Sequence, residues 1–157
     1  MITPCVEKLL EANLIAAIEA LNIADLEVVG TWNVAADETP STKARLAVKV
    51  SPRGYSRFTV SEAVFAAMLE LSVRVDTDRN GELMARASAE ILGLLHAWNM
   101  NKANEAKTAL AVDGVLSIGG IRLSNGSGPE REGKNWYLDF PIEIVGFVKT
   151  TTNTQGE

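Results

Sequence analysis

Residues 64–76 read Val64-Phe65-Ala66-Ala67-Met68-Leu69-Glu70-Leu71-Ser72-Val73-Arg74-Val75-Asp76. Phe65, Ala67, Leu69, Leu71, Val73 and Val75 hold every second position, and Met68, Glu70, Ser72, Arg74 and Asp76 alternate with them from Met68 onward. Successive side chains of a strand point to opposite faces, so this period of two predicts a β-strand with one buried face and one polar face. Ala, Met and Leu also favour helix, and Ser61-Glu62-Ala63 would cap a short helix through Ala67, so residues 62–67 leave both states open. A fully extended run of this length spans about 43 Å at ~3.3 Å per residue. A compact domain of this size has a radius of gyration of only ~15 Å. The expectation is therefore a strand that either bends or projects past its own core, leaving edge groups for a neighbouring chain.

On either side of this run lie helical patterns. In residues 4–21, Val6, Leu9, Leu10, Leu14, Ala17, Ile18 and Leu21 recur at three- and four-residue steps, with Thr3 as N-cap and Pro4 in the first turn. In residues 81–98, Leu83, Met84, Ala87, Ile91, Leu94, Leu95 and Trp98 form a second apolar stripe behind the turn Asp76-Thr77-Asp78-Arg79-Asn80-Gly81, where Asp78 or Asn80 is placed to cap it. Asn99, Asn101 and Asn104 open a polar stretch.

Further strands are expected from the same alternation. Leu26, Val28, Val29 and Trp32 suggest a short one, and residues 43–50 a second, stopped by Pro52 and Gly54. Residues 115–123 form another, with a bulge at Gly119-Gly120. Residues 136–148 form the last, and Pro141 marks it as an edge strand or a bulged one. Residues 35–42, 56–61 and 124–134 read as long polar loops, and 149–157 as a flexible tail. The expected order is α-β-β-α-β-β. This is an α+β domain over residues 3–148, an antiparallel or mixed β-sheet packed on one face by two helices.

The chain has 157 residues, 46% of them hydrophobic, with a net charge of −5. That composition belongs to a globular domain with a real core. No apolar run reaches the ~20 residues that cross a bilayer. Glu7 and Glu11 stand where a secretory signal would carry basic and hydrophobic residues. A single Cys excludes an internal disulfide, and with a single His it leaves little for a transition metal.

Few residues signal chemistry. Gly126 and Gly128 lie between strands with no helix after them, so they form no phosphate loop. His96 on a helix and Cys5 in a first turn lack partners for catalysis and read as ordinary helix residues, Cys5 as a packing residue. Asp76, Asp78 and Asn80 match the start of a calcium loop, but Ala87 stands where the bidentate Glu belongs. Glu70 and Asp76 are about 20 Å apart along a strand, too far to share a proton. Lys43, Arg45, Lys49, Arg53 and Arg57 form a basic window with no acid between them. It reads as a solvated face or as a surface for an acidic partner. No helix carries the clustered basic residues of a DNA reader, so no specific nucleic acid is expected.

Leu69-Glu70-Leu71-Ser72-Val73-Arg74-Val75-Asp76-Thr77-Asp78, the helix over 83–98 and the final strand over 136–148 resemble the centre and end of phage tail terminator and head–tail joining proteins. The resemblance follows element order across residues 3–148. It implies an α+β protomer that forms a ring, commonly a hexamer, at the head-proximal end of the tail. There it stops tube growth and meets tail tube and neck proteins. Such proteins are neither enzymes nor cofactor binders, and they reside in the virion or, during assembly, in the host cytoplasm. On this resemblance Glu70, Ser72, Arg74 and Asp76 would lie on a subunit- or lumen-facing surface, and Lys43, Arg45, Lys49, Arg53 and Arg57 would meet an acidic neighbour. A small ligand- or peptide-binding module is the alternative.

Overall fold

The computed structural model describes residues 5–30, 43–55 and 62–149, with side chains except at 53–55. In chain order the elements are α1 (Val6–Glu19), β1 (Leu26–Gly30), β2 (Ala44–Tyr55), β3 (Glu62–Arg74), α2 (Glu82–Met100), α3 (Ala103–Leu110), β4 (Leu116–Leu123), β5 (Glu130–Glu132) and β6 (Asn135–Val148). The fold is α+β: a six-stranded mixed sheet in the order β1-β2-β3-β6-β4, with β5 also paired to β6, lies against the helices. Among the described residues only the β1–β2 pair is parallel.

The alternating run forms β3, and residues 62–67 are strand rather than helix. Ala63, Phe65, Ala67, Leu69, Leu71 and Val73 are buried. They share one core with Leu10, Leu14 and Ile18 of α1, Ala87, Ile91 and Leu95 of α2, and Ala106 and Leu110 of α3. Propensity alone would tolerate helix at Ala66-Ala67-Met68, but burial of every second side chain selects the strand.

The expected projection of this strand is overturned. β3 is an interior strand, paired with β6 from Glu62↔Phe147 to Arg74↔Asn135 and with β2 from Ala63↔Tyr55 to Ser72↔Arg45. Its flanking strands nearly match its 13 residues, with 12 in β2 and 14 in β6, so its own chain pairs both of its edges. β2 also runs past Pro52 and Gly54, which were expected to stop it. A register shift between those residues absorbs the irregularity as a bulge.

Pro141 sits opposite Met68 without interrupting the β3–β6 ladder. Its carbonyl accepts from the Ser124 N–H at 3.0 Å. In an extended strand a residue's N–H and C=O point to the same side, so the donor that proline lacks would have faced the interval between β5, which pairs with 135–137, and β4, which pairs with 142–148. The stretch expected as a free polar loop fills that interval. Ser127 Oγ donates to Asp139 Oδ2 at 3.1 Å, and a Cβ at Gly126 would collide with the Asp139 carbonyl oxygen.

The helices also differ from expectation in detail. α1 starts after Cys5 and ends at Glu19, while Thr3 and Pro4 lie outside the described residues. Asp78, buried at the start of α2, accepts from Leu83 N–H at 3.1 Å and Met84 N–H at 2.9 Å, which satisfies two open donors of the first turn. The polar stretch after α2 contains a third helix, α3, which buries only Ala106 and Leu110. The loops at 35–42 and 56–61 and the tail after Lys149 lie outside the described residues. Among the described residues no helix is long and apolar enough to cross a membrane.

Two substitutions separate the faces of β3. Leu69→Ala empties a fully buried site and is expected to cost about 2–5 kcal/mol in urea unfolding. Met68→Ala, on the opposite face, is expected to stay within about 0.5 kcal/mol. Gly126→Ala is expected to lift the 124–128 segment off β6 at a cost of about 1–3 kcal/mol, read as faster amide exchange at Ser124.

Candidate interaction surface

The helices cover one face of the sheet. The other carries the alternate residues: Arg45, Ala47 and Lys49 of β2, then Ser72, Glu70, Met68, Ala66 and Val64 of β3. On β6 it carries Tyr137, Asp139, Pro141, Glu143, Val145 and Phe147. Met68 is 42% exposed and Phe147 44%. Val64 and Val145 are register partners and half-buried, so an apolar band runs from Met68 toward Phe147. Among the described residues, β4 pairs on one side with β6 and is otherwise bridged only at Val112↔Leu116, leaving its outer edge open.

Of the residues singled out in the sequence, Lys49, Glu70 and Ser72 come together on this face. Arg45 shares it, but its guanidinium is 3.4 Å from Glu27 Oε2 and is held within the chain. Lys43 is exposed just before β2. The Arg53 side chain and the whole of Arg57 lie outside the described residues, so the basic window is placed only in part. Arg74 ends β3, and Asp76 lies in the turn beyond it rather than on the strand. Arg74 Nε and Nη2 donate to Asp76 Oδ1 and Oδ2 at 3.0 and 2.7 Å. Those two hydrogen bonds hold the exposed Asp76 carboxyl below its ordinary pKa.

Glu70 has a different partner from the one its sequence neighbours suggest. It lies directly across from Asp139 on β6. Burial raises the Glu70 pKa, and the charges of Asp139 and Glu132 raise it further. Sequence spacing cannot reveal this pair, because it is made by strand register between residues far apart in the chain.

Among the described residues the remaining chemistry-bearing side chains form no reactive constellation. His96 is exposed on α2. Cys5 is exposed rather than packed, its thiol donating to Glu7 Oε2 at 3.4 Å. In the segment resembling a calcium loop, Asp76 is occupied by Arg74 and Asp78 by the helix start. Among the described residues no group of three or more His, Cys, Asp or Glu is arranged to hold a metal ion.

Concavities flank the sheet among the described residues. One, about 430 Å³, lies at the C-terminal end of β3 between the 75–79 turn and the β5–β6 hairpin. Another, about 450 Å³, runs between α3, the 112–115 turn and β4, with Lys107, Asp113, Phe147 and Lys149 in its walls.

No family model matches the chain, and no curated protein matches it.

Replacing Glu70 by Gln tests the acidic pair. A carboxyl whose pKa is raised in the folded state contributes stability below its unfolded pKa and loses it as pH rises through the folded value. Glu70→Gln is therefore expected to unfold later than the parent at pH 7 and to lose that advantage near pH 3. Solvent screening at this exposed site keeps the gain below about 1 kcal/mol. Thermal melts of both proteins across that range measure it.

Proposed function

We propose that the chain is a structural subunit that assembles with copies of itself into a closed ring, of the kind found in phage tail completion or head–tail joining, and that it does no catalysis. The observation that carries this reading is the uncovered sheet face, where Met68 and Phe147 stand exposed in a band bordered by Lys49, Glu70 and Glu143. A ring needs a repeated contact between two different surfaces of the same protomer. The apolar band supplies one such surface and the open outer edge of β4 another. The likeness of residues 69–78, 83–98 and 136–148 to tail terminator proteins supports a six-membered ring meeting tail tube and neck proteins, in the virion or in the host cytoplasm during assembly. Within this reading Lys43 and Lys49 face an acidic neighbour, and Glu70 and Ser72 lie in the subunit contact.

Native mass spectrometry and negative-stain imaging of the purified chain test the proposal. A single closed oligomer is expected, with Met68→Asp combined with Phe147→Asp shifting it to monomer while the far-UV spectrum is kept. A wild-type chain that stays monomeric at high concentration, alone and with tail tubes, overturns it.

The groove beside β4 favours a second reading, a peptide-binding module. An extended peptide adding to the open β4 edge would have its main chain paired there and its side chains beside Phe147 and Lys149. Concentration-independent monomers together with peptide-dependent protection of the Ile118 amide, which faces the open edge, would select it over the ring.

A further inference from the structure

The pocket at the end of β3 gathers Arg74 and Arg79 with Arg131 and Lys134, against one acid, Asp76. Asp76 is already held by Arg74 through two hydrogen bonds. Arg79 and Lys134 have no ion pair or side-chain hydrogen bond among the described residues, and Arg131 reaches only the Gly133 carbonyl, at 3.5 Å. Three positive charges are thus left uncompensated around one concavity, in a chain whose net charge is −5.

The fold draws them together from two distant segments. The Val75 N–H donates to the Lys134 carbonyl at 2.9 Å, which fastens the β5–β6 hairpin to the chain leaving β3. Strand alternation then sorts the charges of β5. Arg131 pairs with Trp136, whereas Glu130 and Glu132 pair with Tyr137 and Asn135 and so point to the opposite face. The acids nearest in sequence are turned away from the pocket.

We propose that this pocket binds the phosphate backbone of a nucleic acid without reading its bases. A single carboxylate would neutralise one of the three free charges. Consecutive phosphodiesters present one charge every few ångströms along a strand and match a cluster of this kind. Guanidinium groups suit phosphate oxygens because their planar donors bond two at once. The cations stand on turns and strand ends, and no helix presents them to a groove, so the pocket positions the backbone and carries no sequence information. This inference goes beyond the ring reading and holds whether or not the chain assembles.

The test is fluorescence anisotropy of short labelled DNA duplexes with the full-length chain at low salt. Two duplexes of unrelated sequence are expected to bind equally, and affinity is expected to fall steeply with salt. Arg79→Glu combined with Arg131→Glu is expected to weaken binding by about tenfold or more. It should also flatten the salt slope by about one for each phosphate the variant no longer neutralises. Both side chains are exposed, so the variant is expected to keep its melting temperature. Lys8→Glu with Lys102→Glu makes the same change in charge outside the pocket, Lys102 lying beyond the far end of α2, about 28 Å of helix away, and is expected to bind nearly as the parent does. The proposal fails if the pocket variant binds as the parent does, or if the distant variant is weakened as much. It fails equally if inorganic phosphate at matched phosphate concentration displaces the duplex, which would make the pocket a small-anion site. Displacement by polyglutamate as readily as by unlabelled duplex would assign it to an acidic protein instead.

Discussion

Everything else in this protein depends on β3 being hydrogen-bonded along both edges while only one of its faces is buried. Pairing with β2 and β6 fixes its register, and a shift of one residue would move Phe65, Leu69 and Leu71 from the core into solvent. The three helices then have a single apolar surface to cover. The opposite face is left to Met68, Glu70 and Ser72 and to the residues that β2 and β6 set beside them. The same rule that builds the core therefore also sets out the candidate interaction surface.

That surface is chemically uneven. At one end the register brings Glu70 against Asp139, a like charge that helps raise the Glu70 pKa. Toward the other end it becomes apolar, through Val64 and Val145 to Phe147. Around the corner, beyond the strand ends, Arg79, Arg131 and Lys134 collect. A chain that is acidic overall thus separates its charges into an acidic pair on the sheet face and a basic pocket at the sheet end. Such segregation suits binding to more than one partner surface.

What the sequence discloses follows from which rules act locally. Alternation in residues 64–76 and the apolar stripes of α1 and α2 depend only on nearby residues, and they give the α+β class and the buried residues of those elements. Length alone misleads about β3, because whether a strand projects depends on the strands beside it. α3 is hidden because eight residues with two buried side chains, Ala106 and Leu110, make too faint a stripe. β5 is hidden because Glu130-Arg131-Glu132 has no apolar residue and owes its pairing to β6. The same holds for the candidate sites. The run of Lys and Arg from 43 to 57 stands out in one dimension, yet Arg45 directs its charge to Glu27. The basic pocket is invisible until the hairpin carries Arg131 and Lys134 to Arg79.

Methionine oxidation tests most directly whether the uncovered face of the sheet is where copies of the chain meet. Met84 is buried in the core, Met100 is 67% exposed on α2, and Met68 stands on the sheet face at 42%. Exposed thioethers oxidise readily and buried ones slowly. With peroxide, peptide mapping of the dilute chain should show Met100 and Met68 modified and Met84 spared. At assembly concentration Met68 should become as resistant as Met84 while Met100 stays reactive. If Met68 continues to oxidise alongside Met100 at every concentration, copies of the chain do not join through that face.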